Sequence, residues 1–576
     1  MAGSLLFLMI KTNYTIKENF NRMRLQCLVA VSKLSGEEVA NFKPLHATLE
    51  ELTKLARQAL PCGADVLTLT GRLFKIVSDS QRIRQYEYDP EMTADLLFQV
   101  SFDYLDSPDL RIAWLENLAT FHSKERNFEE LSYCKMYIAS LVSEYLVNAY
   151  LHQKKGKRAE TSKGGARIVR RGDPVQPTEQ QVKEWLDELT GIPKSRADFL
   201  SLCPSITTEP PLAEEFDLAK GEEEGLYNQK VFSENGLLSF LKQAIYFYKV
   251  GHMYESCIDA YQMVVEVHQS HRDYEQMGAA FKDLKVITET LVQANTTNSR
   301  MFSNYYRVGF YGEPWSELNG KEFVYKEPPE VRLADFVERL KQQFGKKFSA
   351  GQLKILPNTP VEEQAVDPKM CNLQVVSVAE YFTEEEQRAR KTKWQLRFNC
   401  QRYIFETPFT KGGKAHGDLT EQYKRKTILT TETPYPAAKK RLQVVRKEEV
   451  VVTPIVNAIE MVSSKVNALK NDLNTSPVNK KSLQINLQGA VLAQVNAGPA
   501  AIANIFLANG AHRKWPAVHV AHLSEVLGEF LKTCLFALRL NANIIDSDQL
   551  EFQSECDNSY KRIKEEINGV VAGLKV

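Results

Sequence analysis

The chain has 576 residues, 43% of them apolar and 25% charged, which excludes a disordered chain and suffices for about three or four folded domains. Its 73 basic residues nearly balance its 72 acidic ones, so no overall field draws it to nucleic acid or to an anionic membrane. The nine scattered cysteines lack the two-residue spacing of a zinc knuckle, and the apolar start at 5–10 is too short to span a bilayer. We therefore expect a reduced, cytoplasmic protein that holds no metal or other cofactor.

Helical periodicity dominates as far as about residue 295. Apolar residues recur every three or four positions over 93–121, where Ser107-Pro108 separates two helices, and again over 236–292. This pattern predicts stacked helical repeats. Two polar segments of this region, the basic 152–180 and the acidic, proline-containing 204–228, are predicted to be mobile loops.

Near residue 300 the chain changes to short segments that are rich in β-branched and aromatic residues and are separated by Gly, Pro and Asn. A single amphipathic helix is expected among them, from Leu333 to Phe344. The remaining segments predict strands at 304–311, 322–326, 372–378, 395–407 and 440–453.

From residue 453 the chain returns to helix. Thr453 suits an N-cap and Pro454 the first helical position, and an apolar seam then runs from Ile455 to Leu473. The fold class predicted for the whole chain is mostly α with a β-rich middle lobe, ending in a helical bundle. Further helical patterns of the bundle cover 480–491, 500–508, 516–541 and 547–573.

The sequence shows no constellation for chemistry that makes or breaks bonds. Segment 412–417 lacks the Walker spacing and is predicted to be a hairpin loop, and His519 and His522 have no third ligand pattern. A Gly-x-Ser-x-Gly elbow, a kinase motif set and a His-Glu-x-x-His motif are all absent from the sequence. Segment 487–499 is unusual because it breaks a helical pattern, although its local sequence alone predicts only a helix connection.

Several blocks of the chain resemble the second DOCK-homology region of the DOCK family of guanine-nucleotide exchange factors. The resemblance spans about residues 85–576 and does not decide between the zizimin-related, DOCK-seven-like and plant SPIKE-type branches. Its strongest blocks are Tyr305–Gly312, Lys321–Pro328, Phe405–Thr410, His416-Gly417, Glu421–Thr431 and the segment from Gln488-Gly489 to Gly498-Pro499.

The resemblance implies a three-lobe architecture. Residues 1–85 would end a preceding helical-repeat region, 86–298 would form a helical-repeat lobe A that dimerises, and 299–452 an antiparallel β-sheet lobe B. Residues 453–576 would form a helical-bundle lobe C with a helix insert at 488–499. The membrane-binding first DOCK-homology region is not in this chain, so contact with the plasma membrane is expected to be indirect, through recruitment.

The resemblance also implies a function, nucleotide exchange on a Rho-family small GTPase of the Rac-like or cell-division-cycle type. In this family an apolar side chain of the insert displaces magnesium from the GTPase, and Val495 corresponds to it, supported by Asn496, Gly498 and Gly489. Contacts with the GTPase are expected from Gln488, Gln494, Phe405, Thr407, Phe409, Lys424, Arg425 and Lys426. For the six of these residues that lie between 405 and 426, a place in the sheet core or in a hairpin is an equal alternative to direct contact.

A second class of function stays open. Stacked helices also suit a non-catalytic scaffold that binds GTPases or cytoskeletal regulators without exchanging nucleotide. The intact run Val495-Asn496-Ala497-Gly498 favours exchange. A nucleotide hydrolase would need motifs that the sequence lacks.

Overall fold

The computed structural model describes residues 2–17, 21–36, 42–58, 63–104, 107–163, 178–208, 230–297, 299–349, 351–359, 367–412, 418–474, 478–492, 498–546 and 549–575. The chain divides into two compact units, one comprising residues 1–403 and 430–446 and the other residues 404–429 and 447–576. None of the described helices is both long and apolar enough to cross a bilayer. The predicted class, mostly α with a β-rich middle, is confirmed.

Helices account for most of the described residues up to 297. The two predicted helix pairs are present, with Pro108 opening the second helix of one pair and Gly251 ending the first helix of the other. The helices are α1 (Ala2–Lys17), α2 (Asn21–Gly36), α3 (Phe42–Ala56), α4 (Gly63–Arg84), α5 (Pro90–Phe102), α6 (Pro108–Lys124), α7 (Phe128–Lys163), α8 (Glu179–Glu188), α9 (Glu234–Val250), α10 (Tyr254–Ser270) and α11 (Tyr274–Thr296).

The loop predicted at 152–180 is wrong at both ends. Helix α7 continues to Lys163, and α8 begins at Glu179 behind the N-cap Thr178. The basic run 154–158 consists mainly of lysine and arginine, which are good helix formers, and charge alone does not end a helix. Of the second predicted loop, Pro204–Thr208 form a 3-10 turn and 209–228 lie outside the described residues.

A sheet of seven strands occupies the middle of the sequence, in the order β1-β2-β7-β6-β5-β4-β3. An additional antiparallel pairing joins β1 to β4, so six of these strands close into a ring. The described pairings are antiparallel except that of β3 with β4, which is parallel. The strands are β1 (Asn304–Tyr311), β2 (Glu322–Glu327), β3 (Leu353–Leu356), β4 (Cys371–Glu380), β5 (Cys400–Thr410), β6 (Gln422–Tyr435) and β7 (Arg441–Val452).

The strand predictions succeeded where apolar residues are dense. Strands β1, β2, β4 and β7 match their predicted segments closely, whereas β5 begins only at Cys400, so the strand expected at 395–399 is wrong. Asn399 has φ +55°, a left-handed conformation that interrupts an extended chain. The expected amphipathic helix is present as α12 (Leu333–Gly345), and its Phe336 stacks on Tyr306 of β1 with ring centroids 4.7 Å apart.

The second unit is built mainly from helices after residue 453. Thr453 is the N-cap residue and Pro454 the first residue of α14 (Pro454–Leu473), whose Ile455, Val462 and Leu469 are buried. The other helices are α13 (Glu384–Ala389) in the first unit and, in the second, α15 (Lys480–Leu487), α16 (Pro499–Leu507), α17 (Ala517–Ile544) and α18 (Leu550–Ala572).

Within the first unit a buried ion network joins α5 to strands β2 and β7. Asp89 caps α5 by accepting from the backbone N–H of Met92 at 3.0 Å, and its other oxygen lies 3.5 Å from Arg441 Nη1. Arg441 also donates from Nε to Asp95 at 2.7 Å and from Nη1 to the Tyr325 hydroxyl at 3.0 Å. A buried guanidinium needs such partners because its charge is costly to desolvate.

The connection between β6 and β7 packs on helices of the same unit. The fully buried His122 donates from Nε2 to the carbonyl of Ala438 at 2.8 Å, which fixes the neutral tautomer with Nε2 protonated. Ser205 donates to the carbonyl of Pro436 at 3.1 Å. Burial lowers the pKa of His122 to about 4, so the ring is uncharged at neutral pH.

This histidine should make the stability of the first unit depend on pH. The pKa of His122 in the folded protein lies below the usual 6.5, so the unfolded chain takes up the proton first as the pH falls. The contribution of His122 to the free energy of unfolding is therefore complete above pH 6.5. It falls by up to about 3 kcal/mol as the pH approaches about 4. A His122→Gln variant keeps an N–H donor but cannot be protonated. Chemical denaturation between pH 7 and 4.5 should therefore show a smaller fall in the free energy of unfolding for the variant, and equal slopes would contradict this account.

Candidate functional site

The predicted GTPase-contacting residues of β5 and β6 lie on two opposite faces of this strand pair in the second unit. Successive side chains of a strand alternate between faces, so Lys424 and Lys426 share one face and Arg425 takes the other. On β5, Phe405 is buried, and Thr407 and Phe409 are half-buried. The six predicted contact residues of this strand pair therefore do not form a single surface.

The two lysines are engaged within the unit. Lys424 Nζ donates to Glu406 and to Glu460 of α14, both at 3.0 Å, and Lys426 Nζ donates to Glu460 at 2.6 Å. Burial works to lower the pKa of Lys424, but the hydrogen bonds to the two carboxylates outweigh it and raise the pKa. Burial works to raise the pKa of Glu460, and the two lysines overcome it and lower the pKa. This cluster of four residues ties β6 to α14.

The other face carries stacked aromatic rings with cations over them. Phe409 stacks on Tyr423 with ring centroids 5.7 Å apart, Arg425 lies 5.4 Å from the Phe409 ring, and Lys411 lies 4.6 Å from the Tyr423 ring. Arg425 is also 3.6 Å from Glu449 of β7. Such partly exposed aromatic and arginine side chains are enriched at protein interfaces.

The predicted helix insert begins at a π turn. Helix α15 passes at Gln488 into a π-helical turn that ends at Leu492, and α16 begins at Pro499 behind the N-cap Gly498. The expected break in the helix is therefore confirmed. Gln494, Val495 and Asn496 lie outside the described residues, so their roles stay predictions.

Neither glycine of the insert adopts a backbone conformation that only glycine favours. Gly498 has φ −62° and ψ 170°, which any residue adopts. A Cβ atom added to Gly489 would meet nothing within 4 Å, and its φ lies outside the left-handed region. The backbone conformations of Gly489 and Gly498 therefore do not require glycine. A role for these two glycines in movement of the insert stays a prediction.

A lysine that the sequence argument did not select contacts the π turn. Lys465 of α14 donates from Nζ to the carbonyl of Gly489 at 2.5 Å. Burial lowers the pKa of this half-buried ammonium. Sequence reasoning missed four residues whose partners are distant in sequence: Glu406, Glu449, Glu460 and Lys465. The only local signal in the sequence is the dense run of cations at 424–426, which needs carboxylates nearby.

Known families match the chain in three parts. The family described as "DHR-2, Lobe A" matches residues 95–162 and 180–293, "DHR-2, Lobe B" matches 358–434, and "DHR-2, Lobe C" matches 468–570. The chain belongs to the DHR-2 family. This confirms the resemblance to the second DOCK-homology region, and it assigns the β5–β6 pair to the Lobe B match and the π turn to the Lobe C match.

Curated relatives cover the chain from end to end. Dedicator of cytokinesis protein 7 from Homo sapiens is 31% identical over 577 residues, which are 99% of this chain and 25% of that protein. Dedicator of cytokinesis protein 8 from Homo sapiens is also 31% identical, over 99% of this chain and 26% of that protein. Dedicator of cytokinesis protein 9 from Homo sapiens is 28% identical, over 99% of this chain and 28% of that protein. The DHR-2 chain thus spans about a quarter of the length of these relatives.

The contacts of Glu460 predict a measurable stability effect in this DHR-2 chain. A Glu460→Gln substitution leaves Lys424 and Lys426 with Glu406 as their remaining carboxylate, and we expect a loss of about 1 kcal/mol after allowance for partial exposure. Glu529→Gln is the matched control, because Glu529 pairs with Lys470 on the exposed surface. Urea denaturation should show a loss for Glu460→Gln and a change below about 0.5 kcal/mol for the control. Equal losses would remove the special role of Glu460.

Proposed function

We propose that the chain is a guanine-nucleotide exchange factor for a Rho-family small GTPase of the Rac-like or cell-division-cycle type. Two observations support the proposal: membership in the DHR-2 family, and the helix break at Gly498 within the Lobe C match. The break carries the proposal, because it lies where the resemblance requires an insert. The proposed lobes are 86–298, 299–452 and 453–576, with residues 1–85 before them.

The proposed mechanism removes a metal ion that belongs to the GTPase. A small GTPase holds GDP through phosphate contacts and a bridging magnesium ion, which is the largest positive charge beside those phosphates. Val495 offers no ligand atom, so when it enters the metal site it excludes magnesium and leaves the phosphates uncompensated. Asn496, Gly489 and Gly498 shape the insert around it. No bond is made or broken, and in this sense the protein is not an enzyme.

The same proposal explains turnover. By linkage, an exchange factor that prefers the nucleotide-free GTPase weakens nucleotide binding by the factor with which nucleotide weakens its own binding. Incoming GTP with magnesium then displaces the insert and releases the loaded GTPase. The chain itself needs no direct membrane contact for this cycle, and recruitment to the plasma membrane is proposed to be indirect.

The two faces of the β5–β6 pair suggest different roles for the predicted contact residues. We place the GTPase on the face with Phe409 and Arg425, because their partly exposed rings and guanidinium are typical of protein interfaces. Lys424 and Lys426 instead act as supports, because Glu406 and Glu460 already hold their charges. Gln488 and Gln494 complete the proposed contact at the insert, and Phe405 and Thr407 line the strand beneath it.

Dimerisation through lobe A is a further part of the proposal. Helix α11 exposes Tyr274, Phe281 and Val292, of which 71%, 52% and 59% are accessible. Their spacing of seven and eleven residues places them on one side of the helix. An apolar face of this kind is typical of a surface that a second protein covers. The partner that we propose is a second copy of the chain.

The exchange activity is tested by release of fluorescent GDP from a panel of Rho, Rac and cell-division-cycle GTPases. The native chain should accelerate release from at least one Rac-like or cell-division-cycle-like member. Val495→Ala removes two methyl groups from the proposed wedge, so it should still bind that GTPase but release GDP at least about ten-fold more slowly. Equal rates would exclude the role of Val495. No acceleration with any GTPase would favour the scaffold instead.

The dimer is tested by size-exclusion chromatography with light scattering. Phe281→Asp places a charge in the middle of the exposed face of α11, and burying that charge in an interface is costly, so the variant should be monomeric. Val518→Asp is the control, because Val518 is a 78% exposed apolar residue on helix α17 in the other unit. A monomeric native chain, or a Phe281→Asp variant that stays dimeric, would contradict the proposed interface.

A further inference from the structure

The helix that leads into the insert passes at Gln488 into a π turn, whose hydrogen bonds run between residues five apart instead of four. The carbonyl groups of residues 489–492 belong to this turn. A π turn widens the backbone and is frequently found at functional sites. The side chains of Ala490 and Val491 are buried at this turn, so they anchor it in the core of the second unit.

Lys465 satisfies one of these groups from a neighbouring helix. Its ammonium donates to the carbonyl of Gly489, and a hydrogen bond from a charged donor is stronger than one between neutral groups. Lys465 therefore caps the α15–π helix from outside.

This ammonium has no carboxylate to balance it among the described residues. The titratable side chain beside it is the buried Cys534, and burial raises the pKa of that thiol to about 12, so it is neutral. This half-buried ammonium has no ion pair among the described residues, in contrast to Lys424 and Lys426, which both contact Glu460 of α14. The contact that the structure describes for this ammonium is therefore the Gly489 carbonyl.

Helix α14 also links this cap to the strand pair. Glu460, which holds Lys424 and Lys426, lies five residues before Lys465, a separation of about 7.5 Å along an α-helix. A helix of this length is a rigid spacer. The position of β6 and the position of the π turn are consequently set by one element within the second unit.

We propose that Lys465 is a positioning residue for nucleotide exchange, which fixes the π turn so that the chain leaves Leu492 in the direction that exchange requires. The inference rests on the proposed exchange function. Lys465 touches neither nucleotide nor metal in this account and acts through the Gly489 carbonyl. Its loss should reduce the rate of the bound complex much more than it weakens formation of that complex, because the face of the strand pair with Phe409 and Arg425 is untouched.

The test compares Lys465→Met, Lys465→Arg and the control Lys470→Met in the full chain. Methionine keeps the apolar stem and removes the donor, arginine restores a cationic donor, and Lys470 lies on the same helix but pairs with Glu529. The maximal rate of GDP release should fall at least about ten-fold in Lys465→Met, with the half-saturating GTPase concentration changed less than about two-fold. Lys465→Arg should recover most of the rate, and Lys470→Met should match the native chain.

A second measurement separates this inference from the exchange function itself. Hydrogen–deuterium exchange of the backbone over 488–492 should be faster in Lys465→Met than in the native chain or in Lys470→Met, whether or not a GTPase responds. An active native chain with a Lys465→Met variant of equal rate would overturn the positioning role alone. A rate lost equally in Lys465→Met and Lys465→Arg, with a lower melting temperature in both, would overturn it in favour of plain stabilisation. A native chain inactive on every GTPase would overturn the proposed function.

Discussion

The second unit depends on the polar contacts that helix α14 makes at three positions along its length. Glu460 holds two lysines of β6, Lys465 holds the carbonyl of Gly489, and Asp472 accepts from Ser482 and Asn486 at the start and end of α15, both at 2.7 Å. The apolar side of the same helix, with Val462 and Leu469, is buried in the core of the unit. One helix therefore fixes the strand, the π turn and the helix before it. Rigid supports of this kind hold functional groups in place more accurately than loops do.

Sequence patterns predicted those features whose cause is local. Pro454 after Thr453 starts a helix because proline lacks only an N–H that the first turn does not use, and the apolar spacing of α14 follows from its buried side. Strand β6 was not assigned from periodicity, because Lys424, Arg425 and Lys426 are all charged and hide its alternation. Their partners Glu406 and Glu460 become neighbours only through tertiary structure. The basic run after residue 154 was predicted as a loop because charge was weighed above helix propensity.

The candidate site likewise contains features with a local sequence signal and features that only the tertiary structure reveals. The helix break was visible in the sequence as glycines and apolar residues without a period, and in the described residues Gly498 is extended before α16 begins. Strand geometry separates Arg425 from its two neighbours once β6 is known, because successive side chains lie on opposite faces. Lys465 had no signal, because a lysine that caps another helix through a backbone carbonyl looks in sequence like any lysine on a helix surface.

The energetics of such a cap suit a protein that must insert and withdraw a segment repeatedly. A hydrogen bond from a charged donor contributes about 1.5 to 3 kcal/mol, enough to select one direction for the chain beyond the π turn. It is small beside the free energy with which a small GTPase holds nucleotide, so it does not oppose displacement when nucleotide returns. A cage of several ion pairs, like that around Arg441 in the first unit, would instead add stability that each cycle had to overcome. In the proposed cycle the described part of the insert's base is therefore held by the Lys465 donor, while the multiple ion pairs around Arg441 lie where the fold has to stay fixed.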